Sequence, residues 1–485
     1  MSNKFHLNNS GEGKHVIILG AGLAGMASAY ELSKYGYKCT MIEARDRVGG
    51  RCWTIRGEEK IIEINGSEQV AKFAEGHYLN AGPARIPQHH VTLDYCKELN
   101  VQLEVLVNSN RNQYFYHEDV GLLSNRKVRA KEAIADIRGY ISELLTKATK
   151  EHALDEALTY QNKERLIEFL KIYGELNESF YKGTTRRGYS VPPGAGHRKG
   201  IESLPYDLSA LLQLSFAEQE SFEYSALQQM TMLQPVGGMD RIAKAFESKF
   251  ESIENITLKT NAQVKEIRNT PTGVRIIYQD ISSTTQEVQG DYCICTIPLT
   301  VLRYIPSDFS PQMKDAIASV SYTCAGKSGL QFKKRFWEDE QIYGGITRTN
   351  LDIEQIWYPS YGYQSNKGVI VGYYNTGAKA NAIGTLPPVT RLDEAIKQGE
   401  KIHPQYRECF EHGVSVYWNQ IPYSLGGWAD YTDETRKMYY PILNQRDGNI
   451  YLAGEHLSYI TGWMAGAFES ARAVVQKIDS NITFD

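Results

Sequence analysis

The sequence predicts an α/β chain with α+β additions, and three observations carry that prediction. His15 to Glu43 reads as strand, glycine turn, helix, strand and acid, in that order. Strand signals of the same apolar kind, each leading into a helix or a turn, return in the middle of the chain and near its C-terminus. Between Arg126 and about Phe180 the chain is rich in Glu and Lys, and Ile134, Ile137, Ile141 and Leu144-Leu145 recur at helical spacing.

The N-terminal run is the most specific. Val16-Ile17-Ile18-Leu19 is an apolar strand, followed by Gly20-x-Gly22-x-x-Gly25 and a helical stretch from Ala24 to about Lys34. In such a turn the first glycine makes the bend, the second lets the backbone approach a pyrophosphate, and the third lets helix and strand pack closely. The helix N-terminus offers free N–H groups to phosphate. A second strand, Cys39 to Ile42, ends on Glu43, 18 residues beyond Gly25, where a carboxylate can bind a ribose hydroxyl. The run is Rossmann-like. Its tail, Ala44-Arg45-Asp46-Arg47-Val48-Gly49-Gly50-Arg51, adds a second glycine pair and three arginines. A long FAD lying across the domain needs such a tail, whereas NAD does not.

Further along, Gly82-Pro83-Ala84-Arg85-Ile86-Pro87 is a rigid segment that cannot be helix interior. Two or three amphipathic helices are expected from Arg126 to Phe180. Gly188 to Gly200 is a Pro/Gly-rich break before more helix through Met230. Gln234 to Asp240 leads into a helix at Arg241–Phe250, then strands at Ile256–Leu258, Val264–Ile267 and Val274–Ile277, the last two as a hairpin. Tyr292 to Pro298 is a continuous apolar run, as in a buried parallel strand. Tyr322 to Tyr374 is strand-rich with aromatics, and Asn449 to Glu455 is a last strand before a helix opening after Gly462. The expected nucleotide domain is therefore discontinuous, at 1–65, 235–320 and 440–485. A substrate domain is expected at 66–125 and 321–439, and a helical domain at 126–234.

At 485 residues more than one domain is expected. A net charge of −4 argues against a nucleic-acid partner. The absence of an apolar run of about 20 residues argues against a membrane span. The polar start, without a signal-peptide core, predicts a cytoplasmic protein. Seven cysteines form no CxxC, and their odd number argues against a full disulfide set; no metal site is expected, and Cys293 and Cys295 read as buried thiols on one strand face.

These blocks, in this order, resemble the GG-doublet flavoproteins, specifically the flavin amine oxidase family. Besides the N-terminal run, Gln234 to Asp240 resembles its P-x-GGM block and Tyr292 to Pro298 its returning strand. Lys327 to Phe332 resembles its lysine strand, and Tyr451 to Ser470 its terminal flavin-contact block. The resemblance implies non-covalent FAD, because Ser424-Leu425-Gly426-Gly427-Trp428 lacks the cysteine through which monoamine oxidases link the flavin. It implies cofactor contacts from Gly20, Gly22, Ala24, Gly25, Glu43, Ala44, Arg45, Gly50, Arg51, Gly82, Pro83, Ala84, Arg85, Val264, Trp418, Gly454, Glu455, Gly462, Trp463 and Met464. Lys327 is the candidate catalytic residue, matching the lysine that holds a water near the flavin. Its strand alternation alone, opposite the apolar face of Leu330 and Phe332, would favour a lysine facing solvent.

Within the family, Gly82 to Pro87 resembles the G-P-x-R-[IL]-P block of L-amino-acid oxidases. The resemblance makes Arg85 the clamp of an α-carboxylate, which a guanidinium fork fits. It gives Tyr373 a second hydrogen bond to that carboxylate, though a core tyrosine would read the same. It places Gly462 and Trp463 beside the substrate amine, with Trp428 as a further pocket wall. The implied activity is oxidative deamination of an L-amino acid to a 2-oxo acid, ammonia and hydrogen peroxide. Its partners would be a small amino-acid substrate and O2, with a homodimer as the candidate assembly. The alternatives are an amine or polyamine oxidase of the same fold and a non-catalytic flavin-binding protein. No histidine lies between Gly200 and Gly237, so a base supplied there by some relatives is missing.

Overall fold

The computed structural model describes residues 9–214, 216–480 and 482–484; the polar start lies outside them through residue 8. The chain is built on a five-stranded parallel sheet in the order Ile256–Lys259, Lys38–Ile42, His15–Leu19, Tyr292–Cys295, Ile450–Leu452. Strand His15–Leu19 lies at the centre, with Ile17 opposite Thr40 on one side and Cys293 on the other. Its alternate residues feed two cores. Val16 and Ile18 join Met41, Ile294 and Tyr451 beneath helices Leu23–Ser33 and Met464–Ile478. Ile17 and Leu19 join Cys293, Cys295 and Leu452 beneath the hairpin Gln263–Thr270/Gly273–Gln279. Burial on both faces is why these strands read as unbroken apolar runs. Among the described residues all seven cysteines are free thiols.

A second sheet of seven strands runs in the order Phe410–Tyr417, Ala325–Phe332, Gly368–Thr376, Gln355–Trp357, Ile346–Thr349, Tyr114–His117, Arg126–Arg129. It is antiparallel except where Ile346–Thr349 meets Tyr114–His117. Sequence pattern assigns Arg126–Arg129 to the start of the helical stretch. It is instead an edge strand, with only Val128 fully buried and charged neighbours facing out, a composition that protects sheet edges and conceals them in the sequence.

The helices after it are Ala130–Lys150 and Tyr160–Tyr173, then the short Leu208–Leu211 and Phe216–Glu223. Their buried face also differs from expectation. Helix Ala130–Lys150 buries Ala133, Asp136, Gly139, Ser142 and Thr146, while Ile141 and Leu144 are exposed. The reason is a buried polar knot. Asp136 accepts from Arg187, from the Tyr181 hydroxyl (2.6 Å) and from the Tyr206 N–H (2.9 Å). A Cβ on Gly139 would strike the Tyr181 ring, so the helix turns its small residues inward. No helix among the described residues is long and apolar enough to cross a membrane.

A buried ion pair ties the N-terminal region to helix Pro388–Glu400. Arg391 donates to both Glu63 oxygens, at 2.5 and 2.8 Å, with both side chains essentially inaccessible. Removing one partner leaves the other charge buried alone. Glu63→Ala is therefore expected to cost about 3–5 kcal/mol, read as a lower unfolding midpoint in urea. The apolar double replacement Glu63→Leu/Arg391→Met should recover most of that loss.

Candidate active site

The nucleotide end is formed by backbone. Gly20 takes φ +96°, and its N–H donates to Ile42 (2.8 Å). A Cβ on Gly25 would lie 2.1 Å from the Gly20 carbonyl oxygen, so helix and strand meet there as closely as expected. A Cβ on Gly22 would meet nothing within 4 Å: that position opens onto a cavity of about 680 Å³. Glu43, buried at the end of its strand, accepts from the Ala21 N–H (2.8 Å) and the Arg45 N–H (3.0 Å). The second glycine pair is also in the left-handed region, at φ +89° for Gly49 and +56° for Gly50.

The arginines of the tail act on protein rather than pointing freely into the cavity. Arg45 donates to the Pro422 carbonyl (2.6 Å) and the Ser424 hydroxyl (2.8 Å). Arg51 donates to the Gly427 carbonyl and to Glu455, each at 2.8 Å. Glu455 accepts further from the Ala429 N–H (3.2 Å) and the Gly462 N–H (3.3 Å). It thus joins the glycine tail, the 427–429 loop and the turn before helix Met464–Ile478. Apart from Ala429, these residues line one cavity together with Ala24, Ala44, Gly82, Pro83, Val264, Trp418, Trp428, Gly454, Trp463 and Met464.

Lys327 lines the same cavity. It is 4% exposed, and its ammonium donates to the carbonyls of Gly82 (2.5 Å) and Asn80 (3.3 Å). Its Nζ stands 4.6 Å from the Tyr374 ring centroid. The Asn80 side chain is fixed in turn by the Met239 N–H (2.9 Å), so the GGM turn supports the lysine's acceptor. Burial, and then the neighbouring Arg85 charge, lower the Lys327 pKa to about 7.

Arg85 does not itself line the cavity but stands against Trp463, which does. Its Nη1 donates to Asn108 Oδ1 (2.6 Å), and its guanidinium lies 4.8 Å from the Trp357 centroid and 5.7 Å from those of Trp463 and Phe222. It forms no ion pair among the described residues. Burial lowers its pKa to about 10, so it stays charged at neutral pH.

Residues 23–479 match the family model described as flavin containing amine oxidoreductase. The chain belongs to the flavin-containing amine oxidoreductases. It is 27% identical to an L-amino-acid oxidase of Notechis scutatus scutatus, over 98% of this chain and 88% of that one. It is also 27% identical to an L-amino-acid oxidase of Gloydius blomhoffii, over 96% and 89%. In fold it resembles a triple mutant of putrescine oxidase, at a TM-score of 0.65 and 16% identity, covering 97% of this chain and 99% of the other. FAD is the family's cofactor, and the observed cradle fits it. Gly22 leaves open space before a helix N-terminus, and a buried acid closes the strand beyond.

Within this amine oxidoreductase, one expected position is corrected. Tyr373 does not face the cavity. It is 1% exposed and packs with Leu330, Phe332 and Ile370 in the opposite core. The cause is a β-bulge at Gly372: Ser328 pairs with Tyr373, but the next residue, Gly329, pairs with Val371. Counting in twos from Val369 and Val371 therefore fails by one residue, and Tyr374 is the tyrosine lining the cavity. Besides Tyr373, three of the expected cofactor or substrate residues lie outside the lining. Gly25 is packed behind the turn, Ala84 borders a smaller adjoining hollow, and Arg85 stands as described. Sequence reasoning does not reach Trp357, Phe222 and Asn108 around Arg85. Trp357 carries only the signal of an aromatic in a strand-rich region, and Asn108 carries none.

Gly22 and Gly25 separate binding from folding. Gly22 has φ −73° and faces open space, so Gly22→Ala should leave the unfolding midpoint of the flavin-free protein unchanged. Its methyl occupies the pyrophosphate approach, and FAD affinity should fall about tenfold or more. Gly25→Ala should instead destabilise the protein by about 1–3 kcal/mol through overpacking. Flavin titration and urea unfolding of each variant check the pair.

Proposed function

We propose that this protein is an L-amino-acid oxidase, converting an L-amino acid to a 2-oxo acid and ammonia with formation of hydrogen peroxide. The observation that carries the reading is Arg85. Its guanidinium sits in an aromatic frame of Trp357, Trp463 and Phe222, beside the cavity and without an ion-pair partner among the described residues. Arg85 is half-buried, and a partly desolvated guanidinium without an ion-pair partner gains from a substrate α-carboxylate. The same charge would repel the ammonium of a simple amine.

Bound FAD would supply the two-electron acceptor for a hydride from the amine-bearing carbon, with oxygen as the final acceptor. The chain supplies the rest. Arg85 orients the carboxylate, Trp463 and Trp428 wall off solvent, and Lys327, with a pKa near 7, accepts a proton from the substrate ammonium or from a water it holds. Protonation of the substrate amine blocks loss of hydride, so this proton must leave first. The flavin is held without a covalent bond. Ser424 to Trp428 carries no cysteine, and the cavity-lining Cys52 turns its thiol to the Met239 carbonyl (3.3 Å).

A peroxide-coupled screen of amino acids in both enantiomers, beside putrescine and longer polyamines, tests the reading. Turnover of L-amino acids alone is expected. Turnover confined to the amines would overturn it.

A further inference from the structure

Four neighbouring strands of the seven-stranded sheet each place one side chain on the face turned toward Arg85. Lys327 pairs with Tyr374, whose ring meets Trp357 edge-on at 5.5 Å. Trp357 pairs with Ile346, and Arg348, two residues on, therefore shares that face. The row thus runs cation, two aromatics, cation. Above it, Phe222 at the end of helix Phe216–Glu223 bridges the two arginines. The Arg85 and Arg348 guanidiniums each lie 5.7 Å from its ring centroid.

Among the described residues Arg348 meets the Phe222 ring but no ion-pair partner. Its Nε is buried without a hydrogen-bond partner. Two acids act on it from a distance, Glu223 from the helix and Glu354 from the adjoining turn. Glu354 is engaged with the Thr376 N–H (3.0 Å). The side chain is half-buried, and a buried N–H left unpaired costs stability unless a ligand supplies an acceptor.

We propose that Arg348 is a second carboxylate anchor in the substrate site and that the amino acid oxidised here is acidic. The proposal rests on the reading of Arg85 as the α-carboxylate clamp. Two guanidiniums sharing one phenyl ring stand no further apart than twice 5.7 Å. A dicarboxylic amino acid with a hydrogen bond of about 3 Å at each end spans that gap. A neutral side chain would leave the Arg348 Nε–H unpaired, and a basic one would be repelled by the guanidinium.

The test is kcat/KM for L-glutamate, L-aspartate, L-leucine and L-lysine in the FAD-loaded wild type and in Arg348→Gln and Arg348→Lys. In the wild type one of the acidic pair is expected to exceed leucine and lysine by roughly tenfold or more. Arg348→Gln is expected to cut the ratio of glutamate or aspartate to leucine by roughly 100-fold, with Arg348→Lys between. A wild type preferring leucine or lysine to both acids would overturn the proposal while leaving the amino-acid oxidase reading intact. So would an Arg348→Gln variant that lowers every substrate alike. Turnover of putrescine with no amino acid oxidised would overturn both.

Discussion

Arg85→Ala is expected to lower kcat/KM for L-amino acids by about 100-fold or more, chiefly through KM. The guanidinium is the cation placed beside the cavity in an aromatic frame, with one N–H committed to Asn108 and the rest available to a carboxylate. A charge-assisted, two-pronged contact of that kind contributes about 3 kcal/mol, which is that hundredfold. A lysine in its place keeps the charge but loses the fork, so Arg85→Lys should recover only part of the loss. The decarboxylated amine should respond in the opposite sense, since the variant removes a repulsion. Steady-state kinetics on a matched amino acid and amine read both effects. An unchanged KM for the amino acid would end the clamp assignment.

Lys327→Met is expected to lower kcat by roughly 10²–10⁴-fold, the usual worth of a positioned proton acceptor. Its pH signature is more specific. With a pKa near 7, Lys327 is an ammonium below that pH and a neutral amine above it. Only the neutral form accepts a proton, so kcat/KM should rise with pH through about 7 and then level. Lys327→Met should remove that rise. Lys327→Arg should not restore activity, because a guanidinium keeps its proton at every accessible pH. Arg85 also enters this profile. It is the charge that, after burial, depresses the lysine's pKa, so in Arg85→Ala the rising limb should move to higher pH. A limb near pH 7 that persists in Lys327→Met would assign the titration to another group.

The nucleotide end is legible in the sequence because each of its parts is local. A strand, three glycines, a helix and an acid follow one another within 29 residues, and each is constrained by backbone geometry rather than by distant packing. Helix Arg241–Phe250 and the hairpin after it are readable for the same reason. The substrate end is less so. Tyr373 and Tyr374 differ by one residue, and only the bulge at Gly372, set by pairing with the distant strand Ala325–Phe332, decides which one turns inward. The row from Lys327 to Arg348 is assembled across strands, so no window of sequence contains it. Helix Ala130–Lys150 misleads in another way. Its Ile141 and Leu144 lie on the outer side, because Asp136 and Arg187 form the contact that fixes the inner one.

The central claim is that this site selects its substrate by the α-carboxylate. The most direct measurement is anaerobic reduction of the bound flavin by an L-amino acid and by the amine left when that carboxylate is removed, followed as loss of the yellow colour. L-glutamate with 4-aminobutyrate and L-leucine with its decarboxylated amine form two such pairs. The account predicts rapid bleaching by the amino acid of at least one pair and none by either amine on the same timescale. Bleaching by an amine as fast as by its parent amino acid would contradict it.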